Sequence, residues 1–248
     1  MIQFDIITIF PKIFSAKGGS ASGGDSCCYF DYGIIGRAIK NKLIKINIHD
    51  LRKQTKNVHK SVDDRPYGGG PGMILMVEPI YKAISMIKRK AIKRYSDKAI
   101  KLKRRVIMLA PEGKTFDQKQ AKRLSKYDQL ILLCGRYEGF DDRVEKLVDE
   151  KISLGNFVLA GGELPAMAVV EAVSRHVKGV VGHEHALDEE TFSPAYAKAT
   201  AGKKDLDYIE YPQYTRPENF KGMKVPKILL SGNHQKIKEW REKNRKKQ

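Results

Sequence analysis

Apolar runs that end in glycine-bearing turns constrain this chain more than any other feature. Residues 106–110 run into Ala110-Pro111-Glu112-Gly113, and Gln129–Cys134 runs into Gly135-Arg136-Tyr137-Glu138-Gly139. A third such segment, 153–162, opens with a tight Ser-Leu-Gly turn, encloses a short apolar run at 157–160 that reads as a strand, and turns again at Gly161-Gly162. Helical spacing occupies 117–125, 141–147 and 163–175 between and after these runs. Strands alternating with helices imply an α/β fold with a mostly parallel sheet, whose ligands sit outside the carboxyl ends of the strands. Three turns converging there make one pocket of bare backbone N–H and C=O groups, suited to a flat heterocycle with a donor/acceptor edge. Glycine also follows buried strands in ordinary connections, so this pattern alone leaves that plainer reading open.

The helix after Gly162 has an acid, Glu163, in its first turn and Pro165 near its first position. Both are favoured there, because the leading N–H groups are unpaired and the dipole is positive.

Upstream, residues 2–10 alternate like a first strand. Residues 16–26 (Ala-Lys-Gly-Gly-Ser-Ala-Ser-Gly-Gly-Asp-Ser) are too poor in apolar groups to pack and read as a flexible surface insertion. Helical spacing resumes over 32–44, and 45–51 reads as a second strand. The run 63–73 holds four glycines and two prolines, which make it a shaped loop rather than helix or strand. It lacks the Lys-Ser/Thr of a P-loop, so it is weak as a phosphate cradle. Apolar 74–77 precedes a helix over 78–95.

Downstream, 182–204 is polar and turn-rich and reads as a mobile linker. Order returns at 208–217, and the chain closes with a helix over 234–248 that carries Ile237 and Trp240 on its apolar side. A tail of that size is small to fold alone.

Charge narrows the class of partner. With 47 Lys+Arg against 29 Asp+Glu the formal net charge is +18, which points to a polyanion, above all nucleic acid. Eleven Lys or Arg fall between 82 and 105 against the single acid Asp97; aromatic interleaving is slight, so this run favours phosphate contact over base stacking, or is simply a solvated face. No segment approaches a membrane span, and the early Asp5 argues against a signal peptide. Cys27, Cys28 and Cys134 have no metal-ligand spacing, so the chain reads as cytoplasmic, reduced and without a metal site.

Several runs together resemble one family, the bacterial tRNA (guanine-N1-)-methyltransferases of the knotted SPOUT class. They are Asp64-Arg65-Pro66-Tyr67-Gly68-Gly69-Gly70-Pro71-Gly72-Met73, Cys134 to Gly139, Gly161-Gly162-Glu163-Leu164-Pro165-Ala166-Met167, Tyr211-Pro212-Gln213-Tyr214-Thr215-Arg216-Pro217, and 225–234 (Val-Pro-Lys-Ile-Leu-Leu-Ser-Gly-Asn-His). They cover most of the chain in the right order. The resemblance implies a deep trefoil knot in a cofactor-binding and catalytic domain (1–182), a flexible linker (183–207), and a small, mainly helical, tRNA-binding domain (208–248). It implies a homodimer with a shared active site, S-adenosyl-L-methionine as methyl donor, and the guanine at tRNA position 37 as acceptor.

By position, the resemblance assigns the cofactor pocket to Leu109, Ala110, Pro111, Gly135, Arg136, Tyr137, Glu138, Ser153, Leu154, Gly155, Phe157, Leu159, Gly161, Gly162 and Pro165. It assigns stabilisation of the guanine to Arg175 and the general base to Glu190, two residues before Phe192. The chemistry asks for both roles: N1 of guanine must lose a proton to become nucleophilic, and negative charge then builds on O6. A magnesium requirement is associated with the family, and no pattern here reads as its site. The chain departs from the family at the 16–26 and 193–204 insertions, at Glu112 (usually glutamine), at Phe157 (usually tyrosine) and at Glu190 (usually aspartate). Two other classes remain for comparison: an inert RNA-binding protein that keeps the fold, and a nucleotide-dependent Rossmann enzyme, which lacks its Gly-x-Gly-x-x-Gly loop here.

Overall fold

A computed structural model describes residues 1–14, 29–95, 102–182, 190–192 and 208–247. The expected surface insertion at 16–26 and the lengthened segment at 193–204 lie outside the described residues. The chain forms two compact units, Met1–Val181 and Gly182–Gln248.

The first unit is built on five parallel strands in the order β2-β1-β6-β5-β7. They are β1 (Ile2–Thr8), β2 (Ile44–Asp50), β5 (Arg104–Thr115), β6 (Gln129–Cys134) and β7 (Glu150–Ser153); β3 (Asp63–Asp64) and β4 (Ile74–Leu75) form a small antiparallel pair. The helices are α1 (Gly33–Lys40), α2 (Val77–Tyr95), α3 (Gln118–Leu124) and α4 (Glu163–Arg175), and short 3₁₀ segments occupy Pro11–Phe14, Tyr29–Asp31, Leu51–Gln54 and Asp142–Leu147. The α/β parallel architecture expected from the alternation is therefore present.

Strand side chains alternate between two cores. Leu130, Leu132 and Cys134 of β6, with Phe4 and Ile6 of β1 and Ile107 of β5, pack into one core with Ala166, Val169, Val170 and Val173 of α4. Ile131 and Leu133 of β6, Val106 and Met108 of β5, and Ile7 of β1 pack into the other with Ile80, Ala83, Ile84 and Ile87 of α2. Covered on both faces, β6 is buried along its whole length, which is why it reads as an unbroken apolar run. Each fully buried Leu or Ile contributes about 1.5–3 kcal/mol.

Four expectations need correcting. The run 157–160 is not a strand: no ladder partner receives it, and Phe157 and Val158 are 55% and 83% exposed. β5 does not stop at Ala110. It continues to Thr115 through an irregularity between Leu109 and Lys114, because Pro111 has no N–H for the ladder and Gly113, lacking a Cβ, passes within contact of the Ile152 backbone. The 63–73 loop begins in β3, which pairs with β4. The last helix, α5 (His234–Lys243), ends at Asn244, and Lys246–Lys247 pairs antiparallel with Tyr208–Ile209.

The second unit also holds an antiparallel pair, Asn219–Phe220 with Met223–Lys224. Tyr214 meets Trp240 edge-on, and the Arg241 guanidinium lies 4.9 Å from the Tyr211 ring centre. No residue of α5 is fully buried.

Candidate functional site

The carboxyl ends of β5, β6 and β7 open on a cleft of about 360 Å³. Three stretches wall it: Met108 to Glu112 from β5, Gly135 to Asp142 after β6, and Ile152 to Leu154 with Phe157 to Gly162 after β7, closed by Pro165 of α4. Every residue expected in the cofactor pocket lines this cleft except Gly155. That glycine (φ +152°) instead shapes the 153–155 turn, in which the Ser153 hydroxyl donates to the Gly155 carbonyl and accepts its N–H.

Close backbone passages make the cleft. The Gly162 N–H donates to the Gly135 carbonyl at 2.9 Å, and a Cβ on Gly162 would lie 2.6 Å from Cys134 Cα. The chain entering α4 thus rests directly on the end of β6, which no side chain at 162 would allow. A Cβ on Gly135 would meet the Phe140 ring at 2.9 Å. Tyr137 holds a left-handed φ of +58°, a strained conformation for a bulky residue and one that clusters at functional sites. The 63–73 loop is fastened to this turn: Glu138 N–H donates to Met73 O, Leu75 N–H to Gly139 O, and Asp141 N–H to Leu75 O.

Charge in the cleft is organised around a buried pair. Glu163, 2% exposed, accepts from Arg136 Nε at 2.9 Å and Nη2 at 2.8 Å. Arg136 also donates to the Ala160 carbonyl, so much of its guanidinium is committed to the scaffold. Cys134 lies buried beside this pair; burial, with the Glu163 carboxylate, pushes its thiol well above the ordinary range against the opposing pull of Arg136. It is an inert packing group.

The two catalytic assignments fall elsewhere. Arg175 is half-buried at the far end of α4 and does not line the cleft; Glu190 belongs to the second unit. The sequence reading also missed Thr8, whose hydroxyl reaches Glu163, since nothing but strand alternation marks it. Met108, Glu112, Gly139 to Asp142, Glu145, Ile152, Val158 and Ala160 also line the cleft outside the assigned set, Val158 and Ala160 as part of the exposed rim whose sequence reads as a strand.

Comparison with known proteins decides the family. The family model described as tRNA (Guanine-1)-methyltransferase TrmD matches residues 2–248. The chain belongs to this methyltransferase family. It is 43% identical over 243 residues to the tRNA (guanine-N(1)-)-methyltransferase of Dictyoglomus turgidum, covering 98% of this chain and 84% of that protein. It is 42% identical over 239 residues to the protein of the same name from Caldanaerobacter subterraneus, covering 96% and 84%. The crystal structure of the tRNA (m1G37) methyltransferase from Aquifex aeolicus superposes with a TM-score of 0.70 at 38% identity, covering 96% of this chain and 87% of that one. The methyltransferase therefore shares its fold as well as its sequence with that family, and no described helix is long and apolar enough to cross a membrane.

Proposed function

We propose that this methyltransferase moves the methyl group of S-adenosyl-L-methionine to N1 of guanine at tRNA position 37. The observation that carries this reading is the cleft itself, because three glycine-bearing turns far apart along the chain, two of them family motifs, line one cavity. Its volume lies in the range of small-molecule sites, and its glycines leave backbone groups bare where a Cβ would fill the space. The residues fit the cofactor: Leu109, Gly135, Ser153, Leu154, Gly161 and Gly162 would hold its base and ribose through backbone and small polar contacts. When bound, it supplies an electrophilic methyl on a sulfonium centre. The close passage of Gly162 over Cys134 and Gly135 is compatible with a chain crossing such as the family's knot requires.

The remaining chemistry falls to side chains of the chain. Glu190 takes the N1 proton, and the Arg175 guanidinium stabilises the charge that develops on O6. α4 has 13 residues, so Arg175 stands about 18 Å along the axis from Glu163 at a rise of 1.5 Å per residue. That separation is too long for one Arg to serve the cleft where its own helix begins, and it supports a homodimer in which each subunit completes the other's site. Exposed Phe157, Val158 and Leu164 beside the cleft supply an apolar surface for such a partner. The excess of Lys and Arg in 208–247 over Glu210, Glu218, Glu239 and Glu242 suits the second unit to tRNA, with 183–207 as linker and the cytoplasm as compartment.

The test is transfer of labelled methyl to tRNA transcripts bearing guanine or adenine at position 37, with mass spectrometry of the product nucleoside. Label confined to 1-methylguanosine at position 37 is expected. Tight tRNA binding without cofactor binding or transfer would establish an inert RNA-binding protein instead.

A further inference from the structure

β1 ends at Thr8, a residue 1% exposed that does not itself line the cleft and whose hydroxyl lies behind the cleft wall, against Glu163. That hydroxyl donates to Glu163 Oε1 at 2.6 Å and accepts the Phe10 backbone N–H at 2.9 Å. On its other oxygen Glu163 takes Arg136 Nε and Nη2. The Arg136 guanidinium then lies over the Phe10 ring, 4.6 Å from its centre, and donates through Nη1 to the Ala160 carbonyl at 3.2 Å. The circuit closes on itself. It joins the end of β1, the turn after β6 and the entrance of α4, and Ala160 adds the rim of the cleft.

We propose that Thr8 is a positioning residue for cofactor binding: through Glu163 it fixes Arg136, and Arg136 fixes the 157–161 rim. The inference rests on reading the cleft as the S-adenosyl-L-methionine site. A β-branched residue has a restricted χ1, and both hydrogen-bonding roles of this hydroxyl are filled, so it holds one orientation. Without it, a carboxylate 2% exposed loses a donor and turns toward what remains, and a buried acceptor that loses its partner bears a real desolvation cost. Arg136 must follow Glu163, and the rim leaves it no slack: a Cβ on Gly161 would stand 2.2 Å from Arg136 Nε. The rim residues have no ladder of their own; Arg136 ties them to the buried scaffold at Ala160, beside the Gly162 N–H bond to the Gly135 carbonyl. A loosened rim weakens binding of the cofactor while leaving the proton-transfer groups untouched.

The experiment compares Thr8→Val, which keeps shape and removes the hydroxyl, with Thr8→Ser, which keeps the hydroxyl, in the full chain. Calorimetry gives the S-adenosyl-L-methionine Kd; steady-state methyl transfer gives KM and kcat. Thr8→Val is expected to raise Kd and KM about five- to thirtyfold, part of the roughly 12- to 160-fold that one hydrogen bond to a charged group is worth, with kcat within about twofold. Thr8→Ser restores both constants. Arg136→Lys, which keeps the charge without the fork, raises Kd as well, and adding Thr8→Val to it costs little more because both act along one path. If Thr8→Val does not fold, Thr8→Cys, whose thiol is only a weak donor, takes its place in both comparisons. An unchanged Kd in folded Thr8→Val, equal losses in the Val and Ser variants, additive losses with Arg136→Lys, or a fall in kcat at constant KM would each overturn the proposal. A wild-type chain that binds no S-adenosyl-L-methionine would overturn the reading of the cleft, and this inference with it.

Discussion

Asp5 sits in the middle of β1 on the face toward α2, 2% exposed, and four donors converge on it. Gln3 Nε2 and Gln129 Nε2 reach Oδ2 at 2.7 and 2.6 Å; Asn47 Nδ2 and His49 Nε2 reach Oδ1 at 2.9 and 2.7 Å. Burial by itself would raise this carboxyl's pKa, but the hydrogen bonds from His49, Gln129 and Gln3 outweigh it and hold the pKa below the ordinary value. The cluster links β1, β2 and β6, so replacing Asp5 tests how the centre of the sheet is held. Asp5→Leu leaves four donors without an acceptor and should cost about 3–5 kcal/mol, as for other broken buried polar networks. Asp5→Asn should cost less, because the network can be rewired. If its amide faces Gln129, that residue must flip and forfeit its contact with Arg104 Nε, 2.6 Å away. If it faces Asn47 and His49, Asn47 flips and the imidazole moves its proton to Nδ1, so the contacts survive and only charge assistance is lost. That route costs about 1–2 kcal/mol. The assay is urea denaturation at pH 7, then at falling pH. A depressed native pKa gives stability that is complete above the unfolded value near 3.9 and disappears as pH falls through the native value, so the wild-type advantage should shrink below about pH 4. An Asn variant as damaged as Leu, or an advantage that grows on acidification, would refute the rewiring argument.

Other consequences follow from individual contacts. Gly162→Ala sets a methyl 2.6 Å from Cys134 Cα and 2.8 Å from Gly135 N, both backbone atoms that cannot yield; it should cost about 1–3 kcal/mol and lower Tm by about 2–12 °C in calorimetric scans, and an unchanged Tm would show that the passage is looser than the structure has it. In a variant with Ser at positions 27 and 28, Cys134 should resist iodoacetamide at pH 8 until urea unfolds the chain, because its raised pKa keeps it a buried thiol; rapid labelling of the native protein would contradict this. The affinity for tRNA should fall steeply between 50 and 200 mM salt through counterion release, and charge reversal at Lys243, Lys246 and Lys247 should flatten that slope while leaving cofactor affinity alone; a slope unchanged by the reversal would move the phosphate contacts off the C-terminal unit.

The parts of the fold legible in the sequence are those whose pattern has one physical cause. β6 is five apolar residues after Gln129 because both its faces are covered, and the sequence marks its bounds to the residue. α4 declared itself through glycine, an acid and an apolar stripe. The rim at 157–160 misled for an instructive reason: Phe-Val-Leu-Ala is apolar whether it enters a sheet or stands exposed beside a cleft, and local pattern does not distinguish the two. The bulge in β5 was hidden because Pro111 and Gly113 punctuate a strand as they would end one. Thr8 was out of reach altogether, since its partner Glu163 lies 155 residues away and only the sheet order brings them together. The cleft lining was legible through the family motifs, while the reason Gly161 and Gly162 must be glycine, a guanidinium against one and a strand end against the other, is visible only in three dimensions.

The placement of Arg175 leads to the most exacting test of a shared site. Consider two variants. Ala160→Trp sets an indole at the exposed rim and plugs the cleft without entering a core; Arg175→Ala removes the guanidinium and leaves the cleft intact. On the proposed shared site, each variant's homodimer should be inactive, one for want of cofactor and the other for want of the arginine. In a mixed dimer the outcome depends on which chain supplies which part. If each site takes its cleft from one subunit and Arg175 from the other, one site of the mixed dimer receives both faults and the other receives none. Random pairing makes half the dimers mixed, so about a quarter of wild-type activity should return on co-expression with two purification tags, and half of wild-type in the doubly tagged fraction. If cleft and Arg175 served the same chain, each site of the mixed dimer would carry one fault, and mixing would restore nothing. The roughly 18 Å that α4 places between its first and last residues makes the first outcome the expected one. Recovery absent from a doubly tagged, folded dimer would refute the shared site and require Arg175 to act through something other than the substrate.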